Sequence, residues 1–237
     1  MKGSTVPEAK LQVDCLYEDA ELFVLNKPSG LLMHRGWGVA EIALVDFARD
    51  RTENGAAHPI QRLDRGASGA VVFAKSAEMA RLMSELASNG HCRKEYLALV
   101  RGEFTASLDI DYPISRQEDG PKVDSRTLVD PVAIATTEPR HVSLVLAKPL
   151  TGRLHQIRRH LKHVHFPLIG DVRYGQGSLN RAFRERYQFM RLGLHAHRWS
   201  LQHPISHSVI SGTVPLPDDF ARPLQLMGFS LDAHQAS

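Results

Sequence analysis

Hydrophobic positions along this chain fall mostly in short runs rather than in long helical stripes. The runs Leu11–Tyr17 and Leu22–Leu25, split by Glu18-Asp19, predict a β-hairpin leading into the loop Asn26–Gly30. Val39–Arg49 has helical spacing at Ile42, Val45 and Ala48. Gly69–Ala74 predicts a buried strand, and Ser76 is placed to cap a helix that ends at Asn89-Gly90. Tyr96–Val100 and Val142–Leu146 predict further strands, whereas Ile110–Thr137 breaks into short extended pieces between turn residues. One strong helical stripe follows, carried by Leu154, Ile157, Leu161 and Val164. On that wheel Arg158 lies about 80° from the centre of the stripe and Arg159 on the opposite side, so Arg158 borders the interior and Arg159 faces water. Leu179–Gln188 can form a basic helix, and Leu192–Leu201 a final long strand. Hairpins with a few helices, and no internal repeat, predict an α+β fold with a largely antiparallel sheet.

The chain has 237 residues, enough for one catalytic body with a proper core. At 43% hydrophobic and 23% charged residues it has an ordinary globular composition, and no apolar stretch is long enough to cross a bilayer. The first ten residues lack the apolar core of a signal peptide and read as a short mobile leader on a cytoplasmic protein, with residues 11–237 as a single unit. Cys15 and Cys92 stand far apart outside any C-x-x-C pair and read as reduced thiols. The net charge of +3 hides an asymmetry: Arg153–Arg198 holds ten Lys or Arg and only two acids, with six histidines interleaved. Such a stretch suits a surface that meets phosphates. The thirteen histidines form no H-E-x-x-H pattern, so no metal is expected.

The chemistry is sharpest in HPIQRLDRGASGAVVFAKS, His58–Ser76, where Asp64 sits between Arg62 and Arg65 in a glycine-containing loop ahead of the buried strand. Taken alone, this is a carboxylate neutralised by its neighbours. Taken with NKPSG at Asn26–Gly30, RKEYLAL at Arg93–Leu99, TGRLHQIRRHL at Thr151–Leu161 and LGLHAHRWSLQHP near the end, the order of pieces resembles the RluA family of pseudouridine synthases. The match spans residues 16 to 204, most of the chain. Two positions depart from the family motif: Gln61 replaces a histidine and Ala67 a threonine.

The resemblance implies a pseudouridine synthase fold, a mixed sheet flanked by helices with a central cleft, and isomerisation of a uridine in structured RNA. It assigns Asp64 as the catalytic carboxylate, Arg158 as its ionic partner, and Tyr96 as the ring that stacks on the uracil. Arg62 would fill the space left by the flipped-out nucleotide, which must leave the helix because the reacting bond is inaccessible in a stack. Leu194 and Ile157 would wall the uracil pocket, while Lys27 and Pro28 pack beside the catalytic loop. The chemistry suits a carboxylate, because cleaving a bond to an anomeric carbon builds positive charge on the sugar. Arg153, Arg159, Arg173, Arg181 and Arg184 would hold the phosphate backbone.

No cofactor is implied, since isomerisation consumes neither a nucleotide nor a redox carrier. The first hairpin begins too early for an S4 module to precede it. The stretch Gly170–Ala196 resembles the TruC branch, which implies a uridine in the acceptor-side stem of tRNA, position 65, acted on by a monomer. Three other readings remain open at this point. They are a ribosomal RNA synthase of the same family, an RNA-binding or chaperone protein weakened in catalysis by Gln61 and Ala67, and a hydrolase using Asp64 or Ser68 with a histidine.

Overall fold

The computed structural model describes residues 12–35, 41–115 and 120–230. The expected leader, residues 1–10, lies outside them, as does Val39. Strand β1 (Cys15–Glu18) and β2 (Leu22–Lys27) form the expected hairpin, with Cys15 opposite Leu25 and Glu18 opposite Phe23. After α1 (Leu44–Arg49) and a two-residue strand β3 (His58–Pro59) comes β4 (Ser68–Ala74), buried along its whole length. Helix α2 (Ala77–Ser88) is capped by Ser76, whose hydroxyl accepts from the Met79 N–H at 3.1 Å. Strands β5 (Cys92–Arg101), β6 (Leu108–Asp111), β7 (Ile114–Ser115), β8 (Lys122–Val123), β9 (Arg126–Ala135) and β10 (Val142–Pro149) follow. Next come α3 (Gln156–His163), α4 (Gly177–Tyr187), β11 (Leu194–Gln202), β12 (Val209–Thr213) and α5 (Asp218–Leu226).

The main sheet runs β1-β2-β4-β11-β5-β10-β9-β6, with β12 on β11 and β3 on β4. Its pairs are antiparallel except β4 with β11, so the expected mixed, largely antiparallel α+β architecture is present. Both faces are covered, and alternate residues of each strand feed opposite cores. On β2 and β4, Phe23, Leu25, Val71 and Phe73 face one side, where Phe23 stacks on Phe73 at 5.2 Å between ring centroids, and Leu22, Val24, Ala70 and Val72 face the other. The first face carries α1, α3 and the Asp64 loop. The second is packed by α2 at one end and by α4 and α5 at the other.

Four expectations are corrected. The helix read at Val39–Arg49 begins only at Leu44, and Ile42 is exposed. Residues 126–135 form one long strand rather than short pieces; Pro131 fits because it stands beside a bulge in the β9–β10 ladder and beyond the reach of β6, where no N–H is required. Leu154 lies outside α3 and is 46% exposed, because His155 adopts a left-handed backbone (φ 53°) that breaks the helical wheel just after it. Arg159 is half-buried instead of water-facing, since its guanidinium donates to the carbonyl and hydroxyl of Ser115 at 2.9 and 3.0 Å. Strand β12 and helix α5 were not foreseen.

Candidate active site

Asp64 lies in the loop between β3 and β4, and that loop is held by its own turn, the Ala67 N–H donating to the Asp64 carbonyl at 3.1 Å, and by a lysine beneath it. The ammonium of Lys27, fully buried at the end of β2, donates to the carbonyls of Pro28, Arg65 and Ala67 at 3.0, 3.1 and 2.7 Å. Among the described residues no carboxylate is bonded to it, and burial lowers its pKa to about 7. Ser29 donates to the Gly66 carbonyl at 2.8 Å, and the Gly30 N–H to that of Arg65 at 2.8 Å. The NKPSG segment is thus a cradle for the loop, which gives physical content to its structural role. Beyond the loop, Ser68 bonds to the His195 ring at 2.7 Å and accepts from Arg191 at 2.5 Å, fixing β4 to β11.

Across from this loop, α3 presents Arg158 on its buried side. The guanidinium reaches Asp64 through Nη1 at 2.8 Å and also meets Asp171 in a bidentate pair, Nε and Nη2 at 2.7 and 2.8 Å. The two carboxylates hold Arg158 firmly in its charged form against the cost of burial. Burial works to raise the Asp171 pKa, but Arg158 and the N–H groups of Tyr174 and Arg173 bring it below the usual value. Asp171 is placed by a tight turn: Gly170 has φ 77°, and a Cβ there would come within 1.8 Å of the Arg191 carbonyl oxygen. Asn180 closes the turn, accepting from the Gly170 N–H and donating to the Asp171 carbonyl.

Tyr96 on β5 is buried in the same core cluster as Leu63, Ile157, Leu192 and Leu194. Burial, then the nearby Asp64 charge, pushes its phenol far up, so it stays protonated. Asp64 itself keeps about a fifth of its side chain exposed. A carboxylate held at one oxygen by a buried arginine, partly open to solvent and close enough to Tyr96 for its charge to act on the phenol, can stabilise or attack a developing sugar cation.

Asp64 and Arg158 are in direct contact, the Asp64 charge acts on Tyr96, and Tyr96, Ile157 and Leu194 belong to one core cluster. Arg62 is exposed on the Asp64 loop. Of the arginines expected at phosphates, Arg173, Arg181 and Arg184 are exposed, Arg153 is half-buried with its Nε 3.3 Å from the Asp124 carbonyl, and Arg159 is engaged by Ser115 as described above. Gln61 is half-buried and Ala67 fully buried in the core beneath the loop. Sequence reasoning missed Asp171 as the second partner of Arg158 and Tyr174 beneath the guanidinium, 5.0 Å from ring centroid to Cζ. The signal was present in GDVRYG, a glycine followed by an acid, but only as a subfamily cue. Three of the histidines are structural: His160 bonds Thr127 and the Tyr112 carbonyl, and His195 and His197 bond the Val214 carbonyl.

A family model described as RNA pseudouridylate synthase matches residues 21–163. The tRNA pseudouridine synthase C of Haemophilus ducreyi is 38% identical over 82% of this chain and 87% of its own length. That of Haemophilus influenzae is 34% identical over 92% of this chain and 98% of its own. Among solved structures, human RNA Pseudouridylate Synthase Domain Containing 1 superposes with a TM-score of 0.71 at 23% identity, covering 88% of this chain and 86% of that one, which is a shared fold. The chain belongs to the RNA pseudouridylate synthase family, as an RluA-type, TruC-like RNA pseudouridine synthase.

Proposed function

We propose that the chain converts one uridine of tRNA to pseudouridine, with Asp64 as the catalytic residue. The observation that carries the reading is the Asp64 carboxylate, partly open to solvent yet bound at 2.8 Å by an arginine that two further hydrogen bonds orient. In the reaction the bond from C1′ to N1 breaks and one from C1′ to C5 forms. The C5 proton leaves and N1 gains one, so nothing is oxidised and no co-reactant is consumed. Asp64 meets the positive charge that develops at C1′, Arg158 keeps Asp64 ionised and oriented, and Tyr96 stacks on the turning uracil with Ile157 and Leu194 as walls. Arg62, exposed on the same loop, fills the stack that the flipped nucleotide vacates.

The tRNA substrate is supported by the names of the relatives, and the acceptor-side stem, position 65, by the TruC-like features of the stretch after Gly170. Arg153, Arg159, Arg173, Arg181 and Arg184 supply the phosphate contacts. Residues 11–237 act as one catalytic unit, a cytoplasmic monomer. The test is to incubate the protein and its Asp64→Ala variant with unmodified tRNA and ribosomal RNA, then map pseudouridine by carbodiimide labelling and primer extension. New signal in the tRNA stem that the variant fails to give is expected. Signal in ribosomal RNA alone overturns the substrate, and no signal on either RNA overturns the assignment.

A further inference from the structure

His155 stands beside Asp64 with no part in the reading above. It is the residue before α3, and its backbone is left-handed (φ 53°, ψ 30°), a conformation that a residue with a side chain adopts at a cost. Its side chain makes no capping hydrogen bond to the helix, so helix capping does not offset that cost. The backbone instead aims the ring into the site: Nε2 lies 3.7 Å from Asp64 Oδ1, and Nδ1 lies 3.1 Å from the Tyr174 hydroxyl. Arg158, three residues on, binds the other oxygen, Oδ2.

The groups facing the ring are Asp64, Asp171, Arg158, Arg173 and Tyr174. Burial disfavours the imidazolium; Asp64 favours it, Arg158 and Arg173 oppose it, and the balance leaves the ring more easily neutral than an ordinary histidine. In a neutral ring whose Nδ1 accepts from the Tyr174 hydroxyl, the hydrogen sits on Nε2 and points at Asp64 Oδ1. Tyr174 is itself fixed, since its N–H donates to Asp171 Oδ1 at 2.9 Å.

An aspartate carboxylate turns easily about its last torsion, where the rotamer wells are broad. One bond, from Arg158 to Oδ2, leaves that rotation open. We propose that His155 is a positioning residue for Asp64, its Nε2–H addressing Oδ1 so that Asp64 presents one fixed face to the anomeric carbon. The separation of 3.7 Å shortens to a hydrogen bond when substrate closes the site, as contacts at unliganded catalytic centres commonly do.

The inference rests on Asp64 being the catalytic carboxylate, so the test carries Asp64→Ala beside the histidine variants. Steady-state pseudouridine formation on unmodified tRNA is measured for His155→Gly, which removes the ring and relieves the left-handed backbone, and for His155→Gln, which restores an amide N–H near the place of Nε2. The expected result is a kcat about ten- to a hundredfold lower for the glycine variant, in line with the sensitivity of catalysis to small misplacements. KM should stay within about twofold of wild type, the melting temperature should not fall, and glutamine should recover part of the loss. A glycine variant with kcat near wild type while Asp64→Ala is inactive overturns the inference and leaves the function standing. A loss confined to KM, or one that glutamine leaves unimproved, also overturns it. An active Asp64→Ala variant removes the function and the inference together.

Discussion

Arg158 and Asp171 form a bidentate pair at 2.7 and 2.8 Å, and only the remaining nitrogen of the guanidinium is left for Asp64. The plane of the arginine is therefore set by Asp171 before it reaches the catalytic carboxylate. Asp171→Asn keeps the shape and removes the charge. It is expected to lower kcat about a hundredfold through misplacement and to cost about 3–5 kcal/mol by leaving a buried arginine half-paired. Turnover at saturating tRNA and urea midpoints on the same preparation check both.

Arg158→Lys is expected to be nearly as damaging as Arg158→Ala. An ammonium can reach one carboxylate but lacks the fork that binds Asp171 twice and Asp64 once. A comparison of kcat for the two variants decides it: lysine should recover less than about tenfold.

Lys27 and Lys94 are buried, and burial lowers both from the ordinary 10.5 to about 7. Above pH 7 the unfolded chain then binds more protons than the folded one, so stability rises with pH. Cys92 opposes this only from about pH 9 upward, because burial lifts its thiol from 9.0 to about 11. Between pH 7 and 9 each lysine contributes at most about 1.4 kcal/mol per pH unit. Urea midpoints across that window should climb for the wild type and climb about half as steeply for Lys94→Met.

Arg181 and Arg184 are exposed on α4. If they neutralise phosphates, replacing both by alanine weakens tRNA binding and reduces the slope of log affinity against log salt by about 1 to 2. The melting temperature should not move. Binding titrations at several salt concentrations read the slope directly.

Features with local causes were legible in the sequence. The Ser76 cap, the first hairpin and the inward lean of Arg158 each follow from residues within a turn or two of one another. What the sequence hid depends on distant contacts. Arg159 looked solvated until the β7–β8 hairpin brought Ser115 against it. Asp171 turns back onto Arg158 only because Gly170 is left-handed and Asn180 closes the turn. Strand β12 alternates between exposed and half-buried with little apolar signal, and Pro223 inside α5 argues against the helix that forms. His155 was counted among the histidines of a basic stretch, and nothing short of its backbone conformation aims it at Asp64.

The central claim, that the Asp64 carboxylate carries the chemistry, is tested most directly by tritium release from tRNA labelled at C5 of uridine, using Asp64→Asn. That variant retains the size and shape of the side chain and removes its negative charge. A folded variant that binds tRNA as wild type does and releases no tritium is the predicted result. Release at a rate comparable to wild type would contradict the account.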